Sequence, residues 1–211
     1  MYTKWCIVKI AFVLSLTTRY AWGQSPFIGP FEEAKYIALD ATEDLLPNPN
    51  MVVDIAKAIV IIRAQYLLVS KVRNNGDWFL GKLRVYNYSE DVLAKLQQSP
   101  YGPVESVFDG EDNTTIVTFM QPYNPVLLAE RLRAELEINS EPIWKTGPDY
   151  GEIKYDPEEN TFTFRQGLAN CGIDCNRNRY WVFKFQYDHA IPVSQYMTDV
   201  PIINRPRTNK R

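Results

Sequence analysis

Histidine-based chemistry has little support in this chain. The 211 residues include one histidine, His189, which is followed by Ala190-Ile191-Pro192. Nucleophilic catalysis of the triad type needs a histidine beside a serine or cysteine, and the sequence contains no Gly-x-Ser-x-Gly elbow. It also contains no complete phosphate-binding or dinucleotide-binding motif. We therefore predict no catalytic residue and no enzyme, and a histidine-rich metal site is excluded.

Carboxylates are the other side chains that could do chemistry. The chain has 25 aspartates and glutamates, and a glycosidase needs only two at a fixed separation, but no pair stands out by its spacing. Hard oxygen ligands concentrate at Asp109, Glu111 and Asp112, which makes that loop a candidate calcium site. A second acidic loop spans residues 156–159. Neither loop matches the EF-hand pattern, and a solvated hairpin tip is the alternative interpretation. We expect no resident cofactor and keep calcium as an open alternative.

The N-terminal segment, residues 1–23, has the layout of a secretory signal peptide. Lys4 precedes an apolar run over residues 6–16, and Ala21 and Gly23 are small residues at the positions that a signal peptidase requires. The run is shorter than the roughly 20 residues that cross a bilayer, and a lysine interrupts it. We predict cleavage after Gly23, a secreted extracellular protein, and no membrane insertion after cleavage.

Signal cleavage would change both the charge and the cysteine count. The formal charge moves from −2 to −5, because the signal carries three basic residues and no acidic one, and neither value suits a general nucleic-acid binder. Cleavage also removes Cys6 and leaves Cys171 and Cys175, an even number in an oxidising route. We predict a disulfide between them that fixes the loop around it. A redox role is disfavoured because three residues, rather than two, separate them.

Two N-glycosylation sequons accompany the predicted secretion. They are Asn87-Tyr88-Ser89 and Asn113-Thr114-Thr115, and they have a meaning only in a eukaryotic host. The alternative is that Ser89 is a helix N-cap and that Asn113 belongs to a hairpin loop. Asn87 and Asn113 are therefore candidates for glycosylation.

The middle of the chain, residues 77–147, predicts alternating strands and helices. Two helices follow the caps Ser89 and Asn124, and each has a single leucine-rich stripe. Strands are predicted at residues 78–86, 104–108, 114–120 and 141–145. The resulting order, βαββαβ, is the ferredoxin-like arrangement. We therefore expect an α+β fold in which an antiparallel sheet has both helices on one face.

The segment before this unit, residues 24–76, predicts a lead-in and one long helix. A short helix is expected around residues 32–39. The long helix is predicted over residues 51–70, with Asn50 as its cap and Ile55, Ile59 and Ile62 on its buried stripe.

The segment after the unit, residues 148–195, predicts a β-extension that packs on the long helix. Its most aromatic strand covers residues 180–187 and alternates so that Trp181, Phe183 and Phe185 share the core face. The opposite face includes Tyr180 and Lys184 and is a candidate surface for binding carbohydrate or protein. Residues 196–211 are predicted to be a loose basic tail.

Two segments resemble known families. The sequence Asn-Pro-Val-Leu-Leu-Ala-Glu-Arg-Leu at 124–132, followed by Ile143-Trp144, resembles the NP…LA…L…V.YAEPN segment of subtilase propeptide-like domains. Those domains are secreted ferredoxin-like modules that cover a protease and act as folding chaperones and inhibitors. The family's YAEPN is replaced by Ile-Trp-Lys-Thr-Gly at 143–147. The segment from Phe164 to Phe185 contains Asn-Cys-Gly-Ile-Asp-Cys at 170–175 and Arg-Tyr-Trp-Val-Phe at 179–183. It is similar to a DCPxGC…RxYWxF signature of uncharacterised secreted bacterial proteins, which implies no activity.

Three functions follow as hypotheses. The first is a secreted non-enzymatic protein, a binding or matrix-type module whose partner is an extracellular protein or polysaccharide. The second is a peptidase inhibitor or propeptide-like folding chaperone, which the resemblance at residues 124–132 implies. The third is an enzyme that acts on an extracellular polymer through paired carboxylates.

Overall fold

The computed structural model describes residues 28–74, 76–110, 114–145, 151–168 and 177–199. Within these ranges the chain has four α-helices and eight strands, so the expected α+β class is confirmed. The helices are α1 (Pro30–Thr42), α2 (Pro49–Gln65), α3 (Glu90–Gln98) and α4 (Pro125–Leu136). The strands are β1 (Trp78–Tyr86), β2 (Val104–Asp109), β3 (Thr114–Phe119), β4 (Ser140–Trp144), β5 (Glu152–Asp156), β6 (Thr161–Gly167), β7 (Arg177–Gln186) and β8 (His189–Asp199).

The first sheet is four-stranded, with the order β2-β3-β1-β4 and antiparallel neighbours throughout. Leu83 of β1 lies opposite Val117 of β3, and both side chains are fully buried. They share one core with Leu96 of α3 and with Leu128 and Leu132 of α4. Since Leu83 and Val117 point to the same face, both helices cover that face.

The caps of α3 and α4 lie where the sequence predicts them. The side chain of Ser89 accepts a hydrogen bond from the backbone N–H of Val92 at 3.3 Å. Asn124 accepts from the backbone N–H groups of Val126 and Leu127, with Pro125 in the first turn. Each cap satisfies backbone donors that a helix start leaves without a partner.

The second sheet is an antiparallel meander in the order β5-β6-β7-β8. Its inner face packs on α2, as expected. The shared core contains the isoleucine stripe of α2 and the aromatic residues of β6 and β7, namely Ile55, Ile59, Ile62, Phe162, Phe164, Trp181 and Phe183. α1 lies beside α2 and contributes Ala34, Ile37 and Ala38 to the same core.

The predicted boundaries of α2 are wrong at both ends. Asn48, rather than Asn50, is the N-cap, because Pro49 occupies the first turn and the backbone N–H of Asn50 donates to Asn48. The helix ends at Gln65 and a short 3-10 turn follows at residues 67–69. The ring of Tyr66 packs on Phe183 at 4.7 Å between centroids, a tertiary contact that accompanies its extended backbone.

β8 was not predicted, and its last four residues lie in the segment expected to be loose. It pairs with β7 over its whole length through a two-residue turn, Tyr187-Asp188, whose φ angles are both positive. Pro192 and a register shift next to Phe183 disturb its alternation, which explains why the pattern did not indicate a strand. Residues 200–211 lie outside the described residues.

One buried ion pair joins α1, α2 and the connector to β1. Glu33 of α1 is fully buried, and its two carboxylate oxygens accept from the guanidinium of Arg63 of α2 at 2.7 and 2.6 Å. Glu33 also accepts from the backbone N–H of Asn74 at 2.7 Å, and the side chain of Asn74 donates to the carbonyl of Ile153 in β5. The Glu33 carboxylate therefore joins α1, α2 and the connector to β1, which are distant from one another in the sequence.

Removing the cation should destabilise the fold strongly. We expect Arg63→Gln to lower the free energy of unfolding by about 3–5 kcal/mol, because Glu33 would stay buried without its counter-charge. The matched control is Arg131→Gln, which breaks the exposed pair Arg131–Glu135 and should cost at most about 0.5 kcal/mol. Urea unfolding followed by tryptophan fluorescence measures both. An equal loss of unfolding free energy in the two variants would contradict this role of Glu33.

Candidate functional site

The face of the second sheet that points away from α2 carries the sequence-predicted binding residues. Its central side chains are exposed or half-buried. We call this surface the tyrosine face and define it by Thr163 and Arg165 of β6, Tyr180, Val182 and Lys184 of β7, and Ser194 and Tyr196 of β8. Tyr180 and Lys184 therefore lie on one face of one strand, as predicted.

A stacked pair of tyrosines lies at the centre of the tyrosine face. Tyr180 is directly opposite Tyr196 in the β7–β8 register. Their ring centroids are 4.8 Å apart and their planes differ by 11°. Tyr196 is 45% exposed. Sequence reasoning missed Tyr196 because it was assigned to the tail, and the signal that would have found it is the apolar and aromatic content of residues 190–197.

The cations of the tyrosine face already have carboxylate partners. Arg165 donates to Glu152 at 3.1 Å and to the side-chain oxygen of Asn178 at 3.0 Å. Lys184 lies 3.6 Å from a carboxylate oxygen of Glu159. Both cations that belong to the tyrosine face are therefore paired with carboxylates.

A groove of about 510 Å³ lies between the two sheets and gathers carboxylates. α1 supplies Asp40, the start of β1 is preceded by Asp77, and β5 supplies Glu152 and Lys154. The start of α4 forms another wall through Val126 and Leu127. Sequence spacing did not indicate this cluster, because its members come from three separate segments.

Asp40 is a carboxylic acid of the groove whose pKa is shifted upward. It stands at the rim and is exposed, yet the protein around its carboxyl group removes enough water to raise its pKa to about 6. A hydrogen bond from Asn74 opposes this rise, whereas the charges of Glu152 and Asp77 add to it. A carboxyl group with such a pKa can hold or release a proton near neutral pH, which is what general acid–base chemistry requires.

Lys145 and Tyr36 form a second perturbed pair where the sheets meet. The ammonium of Lys145 donates to the Tyr36 hydroxyl at 2.8 Å and lies 4.2 Å from the centre of its ring. Burial lowers the pKa of Lys145 to about 8 and raises that of Tyr36 to about 12. Tyr36 is buried, so this pair connects α1 to the end of β4 rather than presenting a surface.

The other predicted site residues are placed as follows. Asp109 is exposed at the end of β2, and Asn87 is exposed between β1 and the cap of α3. Glu111, Asp112, Asn113, Cys171 and Cys175 lie outside the described residues, so the disulfide, the second sequon and most of the calcium loop remain predictions. Within the described ranges, no group of three or more side chains is arranged to hold a metal ion.

Comparison of the chain with known protein families, with curated proteins and with solved structures gave no match. None of the helices in the described part of the chain combines the length and the apolar character needed to cross a membrane.

The Asp40→Asn variant tests how the groove makes folding stability depend on pH. Because the pKa of Asp40 is raised in the folded state, the wild-type protein should lose stability as the pH rises from about 4 to about 6. The amide has no charge to desolvate, so the variant should match the wild type at pH 4 and melt at most about 2 °C higher at pH 7.

The matched control for this test is Asp44→Asn, which removes a charge at an exposed position near the end of α1. Asp40 is intact in this control, so the wild-type loss of stability between about pH 4 and about pH 6 should persist in it. A carbon-13 titration of the Asp40 carboxyl group measures its pKa directly, and a midpoint near 4 would show that the groove does not perturb it.

Proposed function

We propose that the protein is a secreted, non-enzymatic extracellular binding module, and that its ligand lies on the tyrosine face. Secretion rests on the signal-peptide layout of residues 1–23, and the disulfide Cys171–Cys175 and glycosylation at Asn87 and Asn113 belong to the same proposal. The ligand is a neutral polysaccharide. An extracellular protein with a flat surface is the alternative ligand class.

The stacked pair Tyr180–Tyr196 is the observation that carries this proposal. Tyrosine combines a large apolar ring with a hydroxyl group, so a pair of them can pack against the C–H groups of a sugar and also hydrogen-bond its hydroxyl groups. Their stacking restricts ring rotation in the free protein, which reduces the entropy lost on binding. The hydroxyl groups of Thr163 and Ser194 flank the pair on the same face.

The charge distribution favours a neutral ligand. The two cations of the tyrosine face, Arg165 and Lys184, are within 4 Å of carboxylates, so an anionic polymer on this face would have to compete with those partners. The predicted mature chain has a formal charge of −5, which also disfavours anionic polymers at long range. A neutral, hydroxyl-rich polymer meets neither obstacle.

Alanine at either tyrosine should weaken binding. We expect the wild-type protein to be retained on cellulose or chitin, and Tyr180→Ala and Tyr196→Ala each to raise the dissociation constant at least about tenfold. Tyr187→Asn is the control, because Tyr187 is 93% exposed in the β7–β8 turn and asparagine tolerates its positive φ. Sedimentation with the insoluble polymers measures the affinity. Failure of the wild type to bind either polymer would sink the neutral-polysaccharide proposal.

The order of the first sheet supports a second candidate, a peptidase inhibitor or propeptide-like chaperone. We infer that β1–α3–β2–β3–α4–β4 is a ferredoxin-like unit, since β3 lies between β1 and β2 and β4 lies outside β1. The same arrangement hosts many unrelated functions, so the fold alone does not select inhibition.

A protease assay tests this candidate. If the protein is an inhibitor, a micromolar concentration of it should slow peptide hydrolysis by a subtilisin-type protease. An unchanged rate of hydrolysis would remove the candidate.

The carboxylates of the groove support a third candidate, an enzyme that acts on an extracellular polymer. Asp40, with its pKa of about 6, would be the general acid, and Glu152 would be the second carboxylate of the pair.

The expected activity is the release of reducing ends from soluble polysaccharides. The Asp40→Asn variant should lose this activity. Activity that survives in Asp40→Asn would contradict it.

A further inference from the structure

β8 differs from the other edge strands in its charges. The described sheets have four edge strands, β2, β4, β5 and β8. β2, β4 and β5 each carry at least one charged side chain inside the strand, namely Glu105, Glu141 and Lys154. In β8 the only Lys, Arg, Asp or Glu is its last residue, Asp199, and residues 190–198 have none. Charged residues on an edge strand oppose pairing with another chain, so β8 lacks the protection that the other edges have.

The first half of β8 is blocked by other means. The backbone N–H and carbonyl of Ala190 are bonded to the side chains of Gln65 and Tyr66, which belong to the end of α2. Pro192 has no N–H to donate. A bulge follows, because Phe183 pairs with Pro192 whereas Val182 pairs with Ser194, and a bulge locally disrupts pairing. Among the described residues, only the half of β8 after the bulge is therefore left without a partner along its outer side.

The outward-facing backbone groups of this open half can be assigned from the register. The backbone N–H of Phe185 donates to Asn160, on the side of β6, so the odd-numbered residues of β7 face β6 and the even-numbered ones face β8. Tyr196 lies opposite Tyr180, an even-numbered residue, and is bonded to β7. The N–H and carbonyl groups of its neighbours Gln195 and Met197 then point to the other side, where no described strand pairs with β8.

We propose that this edge pairs with the same edge of a second copy of the chain, antiparallel and centred on Tyr196. Gln195 of each copy exchanges two backbone hydrogen bonds with Met197 of the other. The two sheets become one eight-stranded sheet across a two-fold axis. The pairing does not depend on whether the tyrosine face binds a ligand.

A second copy fits this edge for two reasons. Gln195 and Met197 are equally distant from Tyr196, so the pattern of donors and acceptors is its own complement about a two-fold axis. The pairing also brings no like charges together, and it covers side chains that are exposed in one copy, since Val193 and Met197 are each 59% exposed.

The dimer would complete the tyrosine face. Residues opposite each other in a pair that is not hydrogen-bonded approach most closely in an antiparallel sheet, at about 4.5 Å between Cα atoms. The two copies of Tyr196 occupy such positions and lie on the face that holds Tyr180. Each copy thus contributes a stacked pair to one continuous row of four tyrosines.

Charge variants at the two-fold axis test this pairing. The wild-type protein should sediment as a dimer at high micromolar concentration. Tyr196→Lys and Tyr196→Glu should each sediment as monomers, because each places like charges opposite each other. An equimolar mixture of the two variants should restore a dimer, because the charges are then opposite. The control pair Tyr187→Lys and Tyr187→Glu, in the exposed turn, should remain dimeric separately.

Gln195→Pro provides a second test that leaves the tyrosines intact. Proline removes the outward N–H of residue 195 without removing a bond to β7, so the variant should fold with the wild-type circular dichroism spectrum and sediment as a monomer. A monomeric wild-type protein would overturn the proposal, and an extended peptide from another protein would then be the better partner for the edge. Persistence of the dimer in Gln195→Pro or in Tyr196→Lys would overturn it equally.

Discussion

The contact between Glu33 and Arg63 is the constraint on which the rest of the structure depends. A fully buried carboxylate is tolerated only when charged and neutral donors satisfy it, and Glu33 receives the guanidinium of Arg63 and the backbone N–H of Asn74. These partners belong to α2 and to the connector that leads into β1. α1 must therefore lie along α2, and through Asn74 the same cluster reaches Ile153 in β5.

The position of the groove follows from that arrangement. Asp40 is two helical turns after Glu33 on α1 and is hydrogen-bonded by the same Asn74 that contacts Glu33. Where the first sheet meets α1, Lys145 at the end of β4 donates a hydrogen bond to the hydroxyl of Tyr36. The two cores are thus joined along α1, and the carboxylates collect where α1, the start of β1 and β5 meet. The raised pKa of Asp40 is a consequence of this crowding.

Local signals in the sequence predicted the elements well and long-range contacts poorly. β1 begins and ends at the predicted residues, because regular alternation and flanking turns are local features. The register of β1 against β4 shifts between Trp78 and Leu83, and this irregularity was not predicted. Gly81 lies within it, with a positive φ, and a side chain there would meet the carbonyl oxygen of Gln121. The burial of Glu33 was not predicted, since Arg63 is thirty positions away and no spacing rule connects them.

Only part of the candidate site was predicted, because the sequence indicates local patterns and not contacts between distant residues. Tyr180 and Lys184 follow from alternation along one strand, whereas Tyr196 depends on a turn and a bulge in the next strand. Without the bulge after Pro192, the turn at Tyr187-Asp188 would place Gln195 opposite Tyr180, and Tyr196 would point to the helix-covered face. One inserted residue therefore creates the tyrosine pair. It also turns the backbone N–H and carbonyl groups of Gln195 and Met197 away from β7, so the tyrosine face and the outer edge of β8 have a single structural origin.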